Sequence, residues 1–190
     1  MLVTVRSPGP AALERLLTEL RRTEPTYAEV GATMGSDLPG GYRHDRRSVP
    51  LGEGQGAFDR GVAGLKRWEG HRHAGIAVHP RGSVPELGDT VLLAIPIGAL
   101  TLVVGNRIVA TVEEARRFAI VYGTLPGHGE QGEEAFLINR HDDNAVTFDI
   151  VAFSRPVGVA RLGAPAVRFL QRRVTDRYLA GLQRFVTGSA

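Results

Sequence analysis

The 190-residue chain has no cysteine, one lysine, one tryptophan and two methionines. The missing cysteine excludes disulfides, a thiol nucleophile, an iron–sulfur cluster and cysteine-ligated zinc. It fits a reducing cytoplasm. Lysine is almost absent because 22 of the 23 basic residues are arginine, a skew that follows genome base composition and says little about mechanism. No long hydrophobic run occurs. The longest, Val91 to Val104, is interrupted by Pro96, Gly98 and Thr101 and falls short of the ~20 residues of a membrane span. The opening MLVTVRSPGP lacks the apolar stretch of a signal peptide. There is no G-x-S-x-G, no H-E-x-x-H and no paired-aspartate motif, so neither a metal nor a cofactor is expected. The expectation is a soluble, cytoplasmic, bacterial protein.

What is present is ordinary globular material, 43% hydrophobic and 23% charged. That excludes a disordered, collagenous or coiled-coil chain. A chain this long buries roughly 70% of its unfolded surface and needs no staple. The length predicts one domain over 1–190, in three parts: an N-terminal helix within 1–25, strands with a second helix over 26–154, and a C-terminal helical segment over 155–190.

Leu13, Leu16, Leu17 and Leu20 recur at helical spacing and predict a helix from Pro10 to Arg22. Tyr27–Gly31 and Tyr42–Leu51 read as short or irregular strands around a glycine-rich stretch. Phe58, Val62, Leu65 and Trp68 (or Lys66) predict a second helix over Gln55–Trp68. From Ile76 the pattern changes to short β-branched segments: Ile76–Val78, Thr90–Ile97, Leu100–Val104, Arg107–Val112, Arg117–Gly123, Glu134–Asn139 and Val146–Phe153. Turn residues separate them, among them Gly98, Gly105-Asn106 and a nine-residue link at 124–132. This spacing argues for an antiparallel sheet rather than βαβ units. Leu162, Ala166, Leu170, Val174, Tyr178, Leu182 and Phe185 then form the apolar line of a long final helix. The fold class is α+β, with a curved antiparallel sheet gripping that helix as the expected arrangement; a strongly curved sheet would enclose a cavity between them.

The 124–132 link carries the strongest candidate for chemistry. His128 sits among glycines 123, 127, 129 and 132 with Glu130, Glu133 and Glu134 close by. A histidine beside a carboxylate forms a general acid–base pair; the same segment also reads as a glycine-rich turn with solvated charges. His71-x-His73 would share one face of a strand, but no third ligand is near, and exposed histidines are the preferred reading. Gly52-x-Gly54-x-Gly56 lacks the Lys-Ser/Thr of a phosphate loop and reads as a helix start. Asp149, between Phe148 and Ile150, lies on a water face or in a pocket.

The segments Tyr27…Val30-Gly31-Ala32-Thr33, Pro39-Gly40-Gly41-Tyr42, Leu51-Gly52-Glu53-Gly54 and Trp68…His71 carry a family resemblance. So do Tyr122-Gly-Thr-Leu-Pro-Gly-His128…Gly132-Glu133-Glu134-Ala-Phe136, Ala152-Phe-Ser-Arg-Pro156 and Pro165…Gln171. Over about Tyr27–Leu182 the chain resembles the family "domain of unknown function nineteen-ninety", itself similar to the START and birch-pollen-allergen helix-grip superfamily. One departure is visible: Gly98–Arg107 holds neither the tryptophans nor the Asn-Pro-Cys-like corner of that family. The resemblance implies binding of a small apolar or amphipathic molecule, in some members with cyclase or hydrolase chemistry. The expected rim is Trp68, Tyr122, His128, Glu134 and Arg155, with Arg155 pairing to Glu133, Glu134 or a ligand carboxylate. In the enzymatic alternative, a cyclase, isomerase or hydrolase, His128 moves a proton and Glu133 or Glu134 orients its ring.

A third reading concerns charge. Residues 155–190 carry +6 against −3 for residues 1–154. Arg168, Arg172, Arg173, Arg177 and Arg184 would offer an acidic partner a basic helix, yet interleaved aromatics and nucleic-acid motifs are missing. Mobility-shift titrations at physiological salt are therefore expected to show nothing tighter than the nonspecific level of roughly 10⁻⁵ M. Sub-micromolar binding that weakens on changing Arg168, Arg172 and Arg177 to glutamine would make the helix the functional surface.

Overall fold

A computed structural model describes residues 2–4, 8–158 and 164–188, with side chains for 8–158 and 172–188. The elements run β1 (Leu2–Thr4), α1 (Pro10–Leu20), a 3-10 turn (Ala32–Met34), β2 (Arg43–Glu53), α2 (Gly54–Lys66) and α3 (Glu69–His73). Then follow β3 (Ala77–His79), β4 (Thr90–Ile97), β5 (Leu100–Glu113), β6 (Arg117–Thr124), β7 (Glu130–Arg140), β8 (Ala145–Pro156) and α4 (Ala164–Thr187). All strands join one antiparallel sheet ordered β2-β8-β7-β6-β5-β4-β3, with β1 against β5. The expected α+β class is observed: a curved antiparallel sheet closed over a long C-terminal helix.

Period-two alternation divides the strand residues between two cores. The concave face buries Val104, Ile108, Ile120, Phe136, Phe148 and Ile150 beneath α2, α3 and α4. From α4, Tyr178, Leu182 and Val186 enter this core, and Phe58 and Leu65 enter from α2. Each such side chain contributes roughly 1.5–3 kcal/mol on burial. On the convex face, Leu13, Leu17 and Leu20 of α1 cover Leu92, Ala94 and Val103. Of the apolar line expected in α4, Val174, Tyr178, Leu182 and Phe185 pack inward, while Leu162, Ala166 and Leu170 lie outside the described side chains.

Several expected elements differ. Gly105-Asn106 is not a turn but the middle of the 14-residue β5. A Cβ at Gly105 would lie 2.2 Å from Leu20 Cδ1, so the glycine admits α1 onto the sheet rather than reversing the chain. β7 begins at Glu130, shortening the nine-residue link to 125–129. His71 and His73 sit on α3, not on a strand. Trp68, with φ 58°, breaks the helix between α2 and α3. Tyr27–Gly31 is a loop rather than a strand.

That loop is tied to the convex face by Glu133. Its carboxylate accepts hydrogen bonds from Tyr27 Oη (2.7 Å), Gly31 N (2.7 Å), Thr33 N (2.9 Å) and Thr33 Oγ1 (2.6 Å). Gly123 faces Glu133 across β6–β7, and a Cβ there would lie 2.0 Å from Tyr27 Oη. Tyr27→Phe removes one donor and is expected to cost about 1 kcal/mol. Gly123→Ala displaces the whole ring and is expected to cost more, roughly 1–3 kcal/mol. Urea denaturation of both variants checks the order; equal or inverted costs would show that the loop does not depend on this contact.

Candidate functional site

Between the concave face and α4 lies a cavity of about 310 Å³. Its walls are apolar: Leu93 and Ile95 from β4, Leu102 and Val104 from β5, Ile150 from β8 and Val174 from α4. The polar side chains gather on two adjacent cross-strand rows. One row runs Tyr122, Glu134, Ala152, Asp45 across β6, β7, β8 and β2. The next runs from Asn106 and Thr124 on β5 and β6 to Gly132, Ser154 and Arg43 on β7, β8 and β2. His128 and Glu130, at the start of β7, border the same end.

The first row is wired to the helices. Tyr122 Oη donates to Glu134 Oε2 at 2.8 Å. His71 Nε2, fully buried on α3, lies 3.3 Å from the same hydroxyl, and the Tyr178 hydroxyl from α4 also bonds to Tyr122. With the Tyr122 proton committed to Glu134, His71 Nε2 is the donor to Tyr122. Trp68 stacks edge-on against His71 at 4.9 Å between ring centroids.

Burial sets the protonation states. Glu134 rises from 4.5 to about 7, mainly through desolvation, against the lowering effect of the Tyr122 hydrogen bond; the negative charges of Asp45 and Glu130 raise it further. Burial drives His71 down to about 3 and His128 down to about 4, so both rings are neutral. The Tyr122 and Tyr178 hydroxyls are pushed up, first by burial and then by the Glu134 charge.

Of the five residues expected at a rim, Tyr122, His128 and Glu134 line the cavity. Trp68 and Arg155 do not. Trp68 is buried beside the network and donates Nε1 to Ser83 O at 3.1 Å. Arg155 is exposed, donates to Gln131 Oε1 at 2.8 Å and stacks over Tyr42; it pairs with neither Glu133 nor Glu134. The pleat explains why, since Glu133 faces away and its carboxylate is already bound by the 27–33 loop. His128 has no carboxylate orienting it; its Nδ1 accepts from Glu130 N at 3.0 Å. Asp149 lies outside the cavity lining, bonded to Ser48, Asn139 (2.7 Å) and Thr147 (2.9 Å). Sequence reading missed Asn106, Tyr178 and Thr175 as lining residues and took His71 for exposed. Strand parity counted outward from Tyr122 would have found Asn106. Among the described residues no cluster of His, Asp and Glu is arranged to hold a metal, and no helix is long and apolar enough to cross a membrane.

This geometry, a curved antiparallel sheet gripping a C-terminal helix over a lined cavity, is the helix-grip fold of START and birch-pollen-allergen type. Solved structures share it, among them the following two. A hypothetical protein from Helicobacter pylori matches with a TM-score of 0.58 at 13% identity, over 78% of this chain and 91% of its own. The ZhuI aromatase/cyclase from Streptomyces sp. R1128 matches with a TM-score of 0.55 at 14% identity, over 77% and 94%. Residues 26–181 match the model of the domain of unknown function DUF1990, and the chain belongs to that family. A UPF0548 protein of Deinococcus radiodurans is 34% identical over 191 residues, covering 95% of this chain and 96% of the relative.

The charge states fix a sign for stability against pH. The folded form holds the Glu134 proton up to about 7, whereas an ordinary glutamate loses it near 4.5, so stability present below 4.5 is lost as pH rises through 7. His71 and His128 act oppositely: stability present above 6.5 is lost as pH falls toward 4 and 3. Glu134→Gln is expected to gain on the wild type between pH 5 and pH 8, read by urea denaturation at both. A gain that is the same at both pH values would show that Glu134 ionises like an exposed carboxylate.

Proposed function

We propose that this protein binds a small, largely apolar molecule in the cavity between the sheet and α4. The observation that carries the reading is the division of the lining: Leu, Ile and Val walls from β4, β5, β8 and α4, with most of the polar strand residues on two adjacent cross-strand rows and Thr175 and Tyr178 facing in from α4. Ligand sites have this composition, because apolar walls supply affinity and a few convergent polar groups fix orientation. At about 310 Å³ the space suits a small molecule, at the lower end of the usual ~300–1,000 Å³ range.

A second reading, acid–base chemistry in the same cavity, is favoured by one observation. Glu134 titrates at about 7, where a carboxyl both gives and takes protons at neutral pH. The proton-moving group of this reading is Glu134, wired through Tyr122 to His71, in place of the His128 pair expected from the sequence.

Native mass spectrometry of protein purified from its own cells tests the first reading. A small molecule should ride on the wild-type chain, and Ala152→Trp, which fills the cavity from β8, should lose it. A wild type that carries nothing, and does not brighten 8-anilinonaphthalene-1-sulfonate more than the Ala152→Trp variant does, would sink the binding reading. For the second reading, a substrate consumed from a metabolite extract by the wild type should persist with Glu134→Gln.

A further inference from the structure

Asn106 is 1% exposed, sits in the middle of β5 and lines the cavity, and its Nδ2 has no hydrogen-bond partner among the described residues. A buried amide left without a partner costs roughly 1–3 kcal/mol, so a native structure that keeps one calls for a reason. Its neighbours on the row do not supply one. Thr124 Oγ1, across the strand pair, already accepts from Gly132 N at 3.1 Å and bonds Thr26 Oγ1 at 2.7 Å. Tyr122, one row further in, gives its proton to Glu134. A second donor stands at the same end. Glu130 N donates to His128 Nδ1, so the neutral ring carries its proton on Nε2. His128 follows Thr124, the cross-strand partner of Asn106, by one tight turn in which His128 N donates to Leu125 O.

Two N–H donors at one end of an apolar cavity call for an acceptor on the ligand. The charges nearby choose among acceptors. Among the described residues Asp45 is paired with Arg47 at 3.0 Å, Glu134 keeps its proton to about neutrality, and Arg43 and Glu130 are of opposite sign, so this end presents no large net charge to attract an ionic ligand. A ligand amine would bring further donors to Asn106 and His128, which are donors themselves. A neutral carbonyl oxygen satisfies both conditions. Building on the binding reading, we propose that the cavity takes a neutral carbonyl compound, an apolar ketone, ester or amide, whose oxygen accepts from Asn106 Nδ2 and His128 Nε2. The carbonyl would then lie one cross-strand row, about 7 Å along the strands, from Glu134 and Tyr122.

The test uses a matched trio of probes titrated by calorimetry: 2-acetylnaphthalene, its hydrocarbon isostere 2-isopropenylnaphthalene, and 2-(aminomethyl)naphthalene. The wild type should prefer the ketone. Asn106→Leu keeps the side-chain shape and removes the donor; it should weaken the ketone about ten-fold while leaving the hydrocarbon within two-fold. His128→Leu should weaken the ketone by several-fold on the same comparison. Because Asn106→Leu also deletes an unpaired buried amide, the empty variant should melt about 2–4 °C higher than the empty wild type. Ketone and hydrocarbon binding equally, both weakening together in Asn106→Leu, or the amine binding tightest would each overturn the carbonyl assignment while leaving the cavity a binding site. A lower melting temperature for Asn106→Leu would overturn it too, by showing the amide satisfied in the empty protein. Failure of all three probes to bind would strike the binding reading itself.

Discussion

Glu133 and Glu134 are neighbours in sequence and opposites in environment, and the pleat of β7 makes them so. Alternate side chains of a strand leave on opposite faces, so one carboxylate goes to the convex side and the next to the cavity. Glu133 meets four donors, two of them backbone N–H groups, and pins the 27–33 loop to the sheet. Glu134 meets one hydroxyl, is desolvated by burial and faces the negative charges of Asp45 and Glu130, and keeps its proton to about neutrality. A slip of one residue in the β6–β7 or β7–β8 register would exchange the two, leaving the loop unanchored and a charge in the cavity. The outer packing and the inner chemistry therefore depend on the same register.

The inner network is built from every layer. β6 supplies Tyr122, β7 supplies Glu134, α3 supplies His71 and α4 supplies Tyr178. Tyr178 and His71 are in close ring contact, 4.3 Å between centroids, so α3 and α4 are set against each other by the same groups that set Glu134. In a low-dielectric interior such a network is stabilising only when its members are satisfied. Here the orientation of His71 follows from that demand: Tyr122 has one proton to give, and Glu134 takes it.

Much of this architecture was legible in the chain. Thr90–Ile97 reads as a strand from its β-branched run, and the structure places it between the same residues. Arg117–Gly123 and Val146–Phe153 are also recovered, though the strands run further. The helices over Pro10–Leu20 and Gly54–Lys66 follow from their apolar stripes. What failed were places where a local signal served a distant contact. Gly105-Asn106 has the composition of a turn, but the glycine is there for Leu20 and the asparagine for the cavity. Trp68 ends α2 in a left-handed conformation that no residue preference would suggest, and α3 follows. Tyr122, His128 and Glu134 could be singled out as polar residues around an unusual loop, whereas the separate roles of Glu133 and Glu134 required knowing that β7 starts at Glu130. Arg155 had a plausible acidic partner in sequence and found an aromatic face and an amide instead.

The position of β2 has a consequence for how the chain comes to be folded during synthesis. β4 to β8 form a meander whose neighbours in the sheet are neighbours in sequence, so each hairpin closes a short loop. β2 is different: Arg43 pairs with Ser154 and Glu53 with Ala145, across nearly the whole meander. A strand made early must therefore wait until β8 has left the ribosome, with its backbone donors and acceptors unpaired meanwhile. Its charges, exposed Arg46 on one face and the half-buried pair Asp45 and Arg47 on the other, are the kind that keep an unpaired strand from recruiting another chain. Arg43 and Asp45 reach the cavity only when that pairing closes, and α4 is still later in the chain. The cavity is therefore enclosed only after both β8 and α4 have been made.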